Sequence, residues 1–314
     1  MTCHDLDHPA EFHNVEIVIP DIYQNANQVV NQGDLVPEKL EYFDGGVIRK
    51  RIHQHIHGDG VQITYYHMNG IKMQDEFWVD GKLHQIGAPA VIAYHKNGAL
   101  WHKIYYQNGK MHRGENQPAH LKYFANGSEQ TIEYWIDGIR HCDDGPAVAF
   151  YNSRGICYFK SYYQNNKTHR IGGPAIVQFY KDGGVCREIY CIDGLQHRAD
   201  NEPADISYNK LTGNITSKLY FVAGVRHRVD GPSEIVYNTE GNLQCTKYEQ
   251  HGRYHRLDGP ALFKYYASGV IESETYYKNG KKHSDDNIPT YTWYSENGDI
   301  KSHIYWRNGK FIKF

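Results

Sequence analysis

The chain lacks a net charge to speak of. Its 34 Lys and Arg stand against 36 Asp and Glu, a balance of -2, which denies it the global basic field that holds nucleic acid or anionic lipid. No run approaches the ~18 apolar residues of a membrane span. Residues 1–30 show no basic start followed by an apolar core, so no signal peptide is expected. The six cysteines, Cys3, Cys142, Cys157, Cys186, Cys191 and Cys245, form no Cys-x-x-Cys pair. They read as free thiols in a reducing intracellular compartment, either cytoplasmic or that of a host cell, and not as a disulfide framework. The glycosylation-type triplets at Asn126, Asn166 and Asn214 then carry little weight. No glycine is spaced to open a helix as a phosphate loop, and no stretch beyond the N-terminal segment has a helical period.

What is abundant is tyrosine and glycine, 27 and 30 residues, beside a mean hydropathy of -0.71. Whatever is buried is therefore lined by amphipathic rings more than by Leu and Ile, because Tyr covers a sheet while its hydroxyl stays wet. The stretch Tyr105 to Ala119, YYQNGKMHRGENQPA, recurs in altered copies. Its histidine falls at His84, His112, His141, His169, His197, His227, His255 and His283, in steps of 28, 29, 28, 28, 30, 28 and 28 residues. A fixed period overrides the two-domain prior of a 314-residue chain, since repeat arrays grow by stacking units.

Each unit carries two Gly turns, such as Asn97-Gly98 and Asn108-Gly109, between alternating apolar segments. Asn-Gly or Asp-Gly in that setting signals a type I′ hairpin, with positive φ at both central residues. The same signal returns at Asn126-Gly127, Asp137-Gly138, Asp182-Gly183, Asp193-Gly194, Asn279-Gly280, Asn297-Gly298 and Asn308-Gly309. The fold class expected is all-β: an elongated, twisted or curled antiparallel meander of about nine 28-residue, two-stranded repeats, about 85 Å long at the usual strand spacing. The array runs over residues 41–314, worn at its start where His55, His57 and Asp59 stand. Residues 1–40 are a different text. They read as a cap over the first sheet edge or, alternatively, as a targeting or docking segment.

A two-residue turn at Asn97-Gly98 would set Tyr94 opposite Trp101, Ile92 opposite Lys103 and Ala90 opposite Tyr105. One face then holds two aromatic columns, one through Tyr105, Tyr134 and Tyr162, the other through Tyr94, Tyr123 and Tyr151. Between them runs a row of small residues, Ala90, Ala119, Ala147, Ala175, Ala204, Ser233 and Ala261. The opposite face is led by the second aromatic of each pair. Because that column admits Cys191 and Glu249 it reads as partly solvated, and Trp78, Tyr106, Trp135, Tyr163, Phe221, Tyr277 and Trp306 are its candidate protein-contact residues.

The alternation of YxxNG with GKxHRxDGPA resembles the MORN repeat, and more closely the variant found in long tandem copies in proteins of giant amoebal viruses and in shorter arrays in bacterial antitoxin-like proteins. The resemblance covers Glu41 to Phe314. It implies an elongated antiparallel sheet used for scaffolding, oligomerisation or docking, at membranes in some members.

The histidine column tempts a metal reading. Equivalent residues two strands apart lie about 9.6 Å from one another, whereas two ligands of one zinc sit about 3.3 Å apart, so no metal or other cofactor is expected. His-Arg and the following Asp read instead as organisers of a wide turn, with Gly and Pro fixing its exit. His141-Cys142 does not recur as a thiol-imidazole pair, and Glu115, Glu129, Glu133 and Asp286 do not recur as an acid/base dyad, so no catalytic residue is assigned. Aromatic and basic columns could stack single-stranded nucleic acid, but the near-neutral charge opposes it. The expectation is a non-enzymatic repeat scaffold that binds a protein partner, as a viral structural or host-interaction protein would. The alternative is an immunity or antitoxin-like inhibitor of one effector enzyme.

Overall fold

The computed structural model describes residues 39–54, 60–285 and 287–312. The expected N-terminal segment, 1–40, lies outside these residues except for Lys39 and Leu40, as do His55, His57, Asp59 and Asp286. Among the described residues there is no helix, and the strands form one 22-stranded antiparallel sheet with seven separate two-stranded hairpins. Successive strands pair with their neighbours from Lys39–Tyr42 to Ile300–Arg307, and these two end strands do not pair with each other, so the sheet is an open meander.

The unit is richer than two strands. After Val91–Tyr94 and Leu100–Ile104 come two short strands, Tyr106–Gln107 and Lys110–Met111, which pair only with one another. The chain then rejoins the sheet at His120–Tyr123. The same small hairpin recurs down the array, for instance Trp135–Ile136 with Ile139–Arg140.

Two kinds of turn alternate. At Asp137-Gly138 both residues have positive φ, 50° and 80°, as the type I′ reading requires; Asn108-Gly109, Asp193-Gly194, Asn279-Gly280 and Asn308-Gly309 agree with it. Asn97-Gly98, Asn126-Gly127, Asp182-Gly183 and Asn297-Gly298 do not, because only their glycines have positive φ. There Gly98 N–H bonds to His95 O and His95 N–H to Ala99 O, each 2.8 Å, a type I turn closed by a G1 bulge. The Asn97 side chain accepts from Ala99 N–H at 3.1 Å, which is why Asn suits the position without a left-handed backbone.

The bulge corrects the register. Ile92 does face Lys103, but Tyr94 faces Leu100 and not Trp101. The shift recurs beside Tyr123, Tyr151, Phe179, Tyr208, Tyr237, Tyr265 and Tyr294.

Burial is shared between the faces rather than confined to one. The row of small residues is sealed: Ala90, Ala119, Ala147, Ala175, Ala204, Ser233 and Ala261 are all 0% exposed. The flanking rings are mostly half-buried. On the other face Val91, Ala93, Val148, Ser161 and Asp205 are also buried, since the small hairpins fold back over it: Trp78 and Trp135 donate from their indoles to Glu76 and Glu133, at 3.0 and 2.8 Å.

Candidate functional site

The histidine column has one repeated task. In every unit the imidazole Nδ1 accepts from the backbone N–H that opens the type I′ turn of the following unit. Asn108 N–H donates to His84 at 3.1 Å, Asp137 to His112 at 3.2 Å, Asp193 to His169 at 3.2 Å and Asn279 to His255 at 3.1 Å. Asn165, Ala223, His251 and Asn308 repeat it on His141, His197, His227 and His283, at 3.2 to 3.5 Å. The turn glycine adds a main-chain bond to the same preceding unit, as from Gly138 N–H to Met111 O at 2.8 Å. Asp137 and Asp193 also place a carboxylate 2.9 and 3.3 Å from His112 and His169.

The arginine after it lies on the core ring eight residues earlier. Arg113, Arg170, Arg198, Arg228 and Arg256 stack on Tyr105, Tyr162, Tyr190, Tyr220 and Tyr248 with 3.8 to 4.1 Å from guanidinium carbon to ring centroid. Each also donates from Nη1 to the carbonyl of the turn proline, at 3.2 to 3.4 Å. Such a cation over a ring is worth about 0.5 to 2 kcal/mol according to its burial. The wide-turn glycine follows from this stack: a Cβ on Gly173 would lie 3.0 Å from the Arg170 guanidinium, and on Gly231 or Gly259 3.2 Å from that of Arg228 or Arg256.

The seven candidate contact residues are all half-buried. Trp135 and Tyr163 are brought together by Arg140, whose guanidinium lies 4.6 Å from one ring and 5.7 Å from the other. Arg226 lies 5.7 Å over Phe221, Lys282 5.0 Å over Trp306, and Tyr277 stacks on Tyr254 at 4.9 Å. Trp78 is tied to Glu76, and burial raises the phenol of Tyr106. Cys191 in this column is only 3% exposed, packed with Ala175 and Ile189. Glu249 is also covered; it sits 3.5 Å from Arg226 and accepts from Ser233 Oγ at 3.0 Å. Its presence reflects an ion pair and not open solvent.

Two features were not read from the sequence. One is a polar interior on the small-hairpin face. Here Glu133 is held by His120, Arg140 and the Trp135 indole, which outweigh burial and keep its carboxyl below the usual range. Asp205 is paired with Arg187 at 2.8 Å, and Glu234 with Arg226 and Lys247. Beside Glu76, burial and that carboxylate push the Tyr65 phenol up to about 12. The other is a set of apolar tips on the wide turns: Ile86, Ile171, Val229 and Leu257 are 79%, 83%, 67% and 75% exposed.

The chain matches no protein-family model and no curated protein. Among solved structures it is similar to a crystal structure of TcdB2-TccC3, at 12% identity and a TM-score of 0.15, covering 82% of this chain. A structure of TcdB2-TccC3 without its hypervariable C-terminal region gives 10% identity, the same TM-score and the same 82% coverage. The chain spans 14% of the length of either, and at such a TM-score the likeness supports no argument. Among the described residues no helix is long and apolar enough to cross a membrane.

Proposed function

We propose that the chain is a non-enzymatic β-repeat scaffold, MORN-like in its motif, that binds a protein partner along the small-hairpin side of the sheet. The observation that carries this reading is what the motif's reactive side chains do. Each histidine of the column faces the amide of the next unit's turn, and five arginines lie on core rings and on their own turn carbonyls. The groups best suited to chemistry are thus occupied, the histidines in joining units and the arginines in closing turns. What remains to vary at constant geometry is a periodic surface of half-buried rings flanked by apolar turn tips, a surface suited to a large partner.

The test replaces Trp135 and Tyr163 together with Ser in the full chain, followed by capture from the native cell and mass spectrometry. A specific partner retained by the parent and lost by the variant, with thermal stability little changed, supports the scaffold. Equal capture by both moves the contact elsewhere, and a large fall in stability gives the rings to the fold. Stoichiometric capture of one enzyme, with loss of that enzyme's activity, would replace the scaffold by the inhibitor.

A further inference from the structure

Three units lack the arginine, with Gln85, Cys142 or Ser284 in its place, and one of them keeps the groups that would receive it. In the turn from His141 to Ala147 the position is Cys142, although the turn has the same length as those beginning at His169, His227 and His255. The groups that receive a guanidinium elsewhere are nevertheless all present. The ring eight residues earlier is Tyr134, equivalent to Tyr162, Tyr220 and Tyr248 beneath their arginines. Pro146 supplies the carbonyl that in Pro174, Pro232 and Pro260 accepts from Nη1. Asn116 in the preceding unit corresponds to Asn201, whose Oδ1 accepts from Arg228 Nε at 2.9 Å. Asp144 corresponds to Asp258, whose carboxylate accepts from Arg256 Nε at 2.9 Å.

The space is real as well. Tyr134, Asn116, Asp144 and Pro146 line an open cavity of about 150 Å³, a size that admits a molecule as large as benzene. A Cβ on Gly145 would meet nothing nearer than Cys142 Sγ at 3.8 Å, whereas at Gly173 the guanidinium is 3.0 Å away. Cys142 itself is 8% exposed and donates from its thiol to Asn116 Oδ1 at 3.2 Å. Burial raises its pKa, so it stays a neutral thiol and places no charge of its own in the cavity. The other units without arginine differ. At Ser284 the hydroxyl bonds to Ile288 O at 2.6 Å and the sealed row carries Thr290 in place of Ala. At Gln85 the core ring is Phe77.

We infer that the cavity between Tyr134 and Pro146 is an open guanidinium socket that takes an arginine side chain from a protein partner. The ring and proline carbonyl that five sister units set around arginine, with the amide oxygen used by Arg228 and the carboxylate used by Arg256, favour a planar fork of donors over a point charge. The acidic flank of Asp143 and Asp144 favours a cation. The proposal rests on the scaffold reading for the identity of the partner, but the socket is testable without one.

Isotope-labelled full-length protein is titrated with a short arginine-containing peptide, its lysine counterpart, and methylguanidinium, and the Tyr134 ring and Gly145 amide signals are followed. The expected result is saturable shifts at both positions with the arginine peptide, at least fivefold weaker binding of the lysine peptide, and no saturable shift in Cys142→Arg. That variant should also gain about 2 °C in Tm by supplying the missing stack, while Cys142→Ser keeps the binding. Absence of saturable shifts, equal response to lysine, or unchanged binding in Cys142→Arg would overturn the socket. A lower Tm in Cys142→Arg would overturn the equivalence of the turns. Binding of methylguanidinium without the peptide would overturn the protein partner and leave a small-molecule site. None of these outcomes depends on whether the Trp135 and Tyr163 pair is needed for capture.

Discussion

Acid should destabilise the array through His102 first. The residue lies on the small-hairpin face opposite Ala93 and Lys122 and is 9% exposed. Its ring stacks on Trp101 at 4.6 Å and faces His120 edge-on at 5.8 Å, and its buried Nε2 has no hydrogen-bond partner. Burial, then the neighbouring His120, Lys122 and His95, pushes its pKa down to about 4, against about 6.5 in an unfolded chain. The folded-state value is depressed, so between those limits the unfolded chain binds a proton that the folded chain refuses. Stability is therefore whole above about pH 6.5 and falls as the pH drops toward 4. A shift of about 2.5 units at 1.36 kcal/mol each gives a full loss of about 3 kcal/mol, of which about 2.5 kcal/mol has gone by pH 4.5.

The assay is urea unfolding of the parent and His102→Leu at several pH values from 7.5 to 4.5, with the His102 ring titrated by NMR. Subtracting one curve from the other removes the remaining histidines and carboxylates. The gap between the two proteins should change in favour of His102→Leu by about 2.5 kcal/mol as the pH falls. Parallel curves, or a His102 titration near 6.5, would show that the ring is wetter than its packing implies.

Gly173→Ala should cost about 1 to 2 kcal/mol, because its Cβ displaces the Arg170 guanidinium from Tyr162 and Pro174. Gly145→Ala at the same place in its turn should be nearly neutral, and in an Arg170→Ala background Gly173→Ala should lose most of its cost; thermal or urea unfolding of the parent and the four variants decides. Gly138→Val should cost about 2 kcal/mol or more, since the residue sits at φ +80° where a β-branched side chain is strained, and a neutral result would remove the type I′ turn. His255→Ala takes away the acceptor of Asn279 N–H, a bond worth about 1 kcal/mol. Amide exchange at Asn279 should then quicken several-fold while Asn108, six units earlier and on an intact histidine, keeps its rate; equal rates would mean the joint is not made in solution.

The period, the aromatic columns and the sealed alanine row were legible because side-chain alternation along a strand leaves a regular trace in the sequence. Turn type was only half legible. Asn126-Gly127 and Asp137-Gly138 look alike, yet one closes a bulged turn and the other a type I′ turn, because Asn serves equally well with its side-chain oxygen or with a left-handed backbone. The small hairpins were hidden because Tyr105 and Tyr106 read as one strand, while their hydrogen bonds part at that point. The role of the histidines could not be read at all, since the partner is a main-chain N–H some 24 to 26 residues away and a main-chain group leaves no mark in the sequence. Glu249 misled for the converse reason: a charge looks wet until its Arg226 is placed beside it.

The joint between units asks nothing of the side chain at the turn that donates to it. Asp, Asn, Ala223 and His251 all offer the same N–H to the preceding histidine, and all accept the same backbone angle, with φ between 48° and 51° at Asn108, Asp137, Ala223 and His251. The array therefore carries along one margin a row of positions whose lettering can be rewritten without loosening the binding of the page. Recognition can drift there, one unit at a time, while cohesion stays in the main chain.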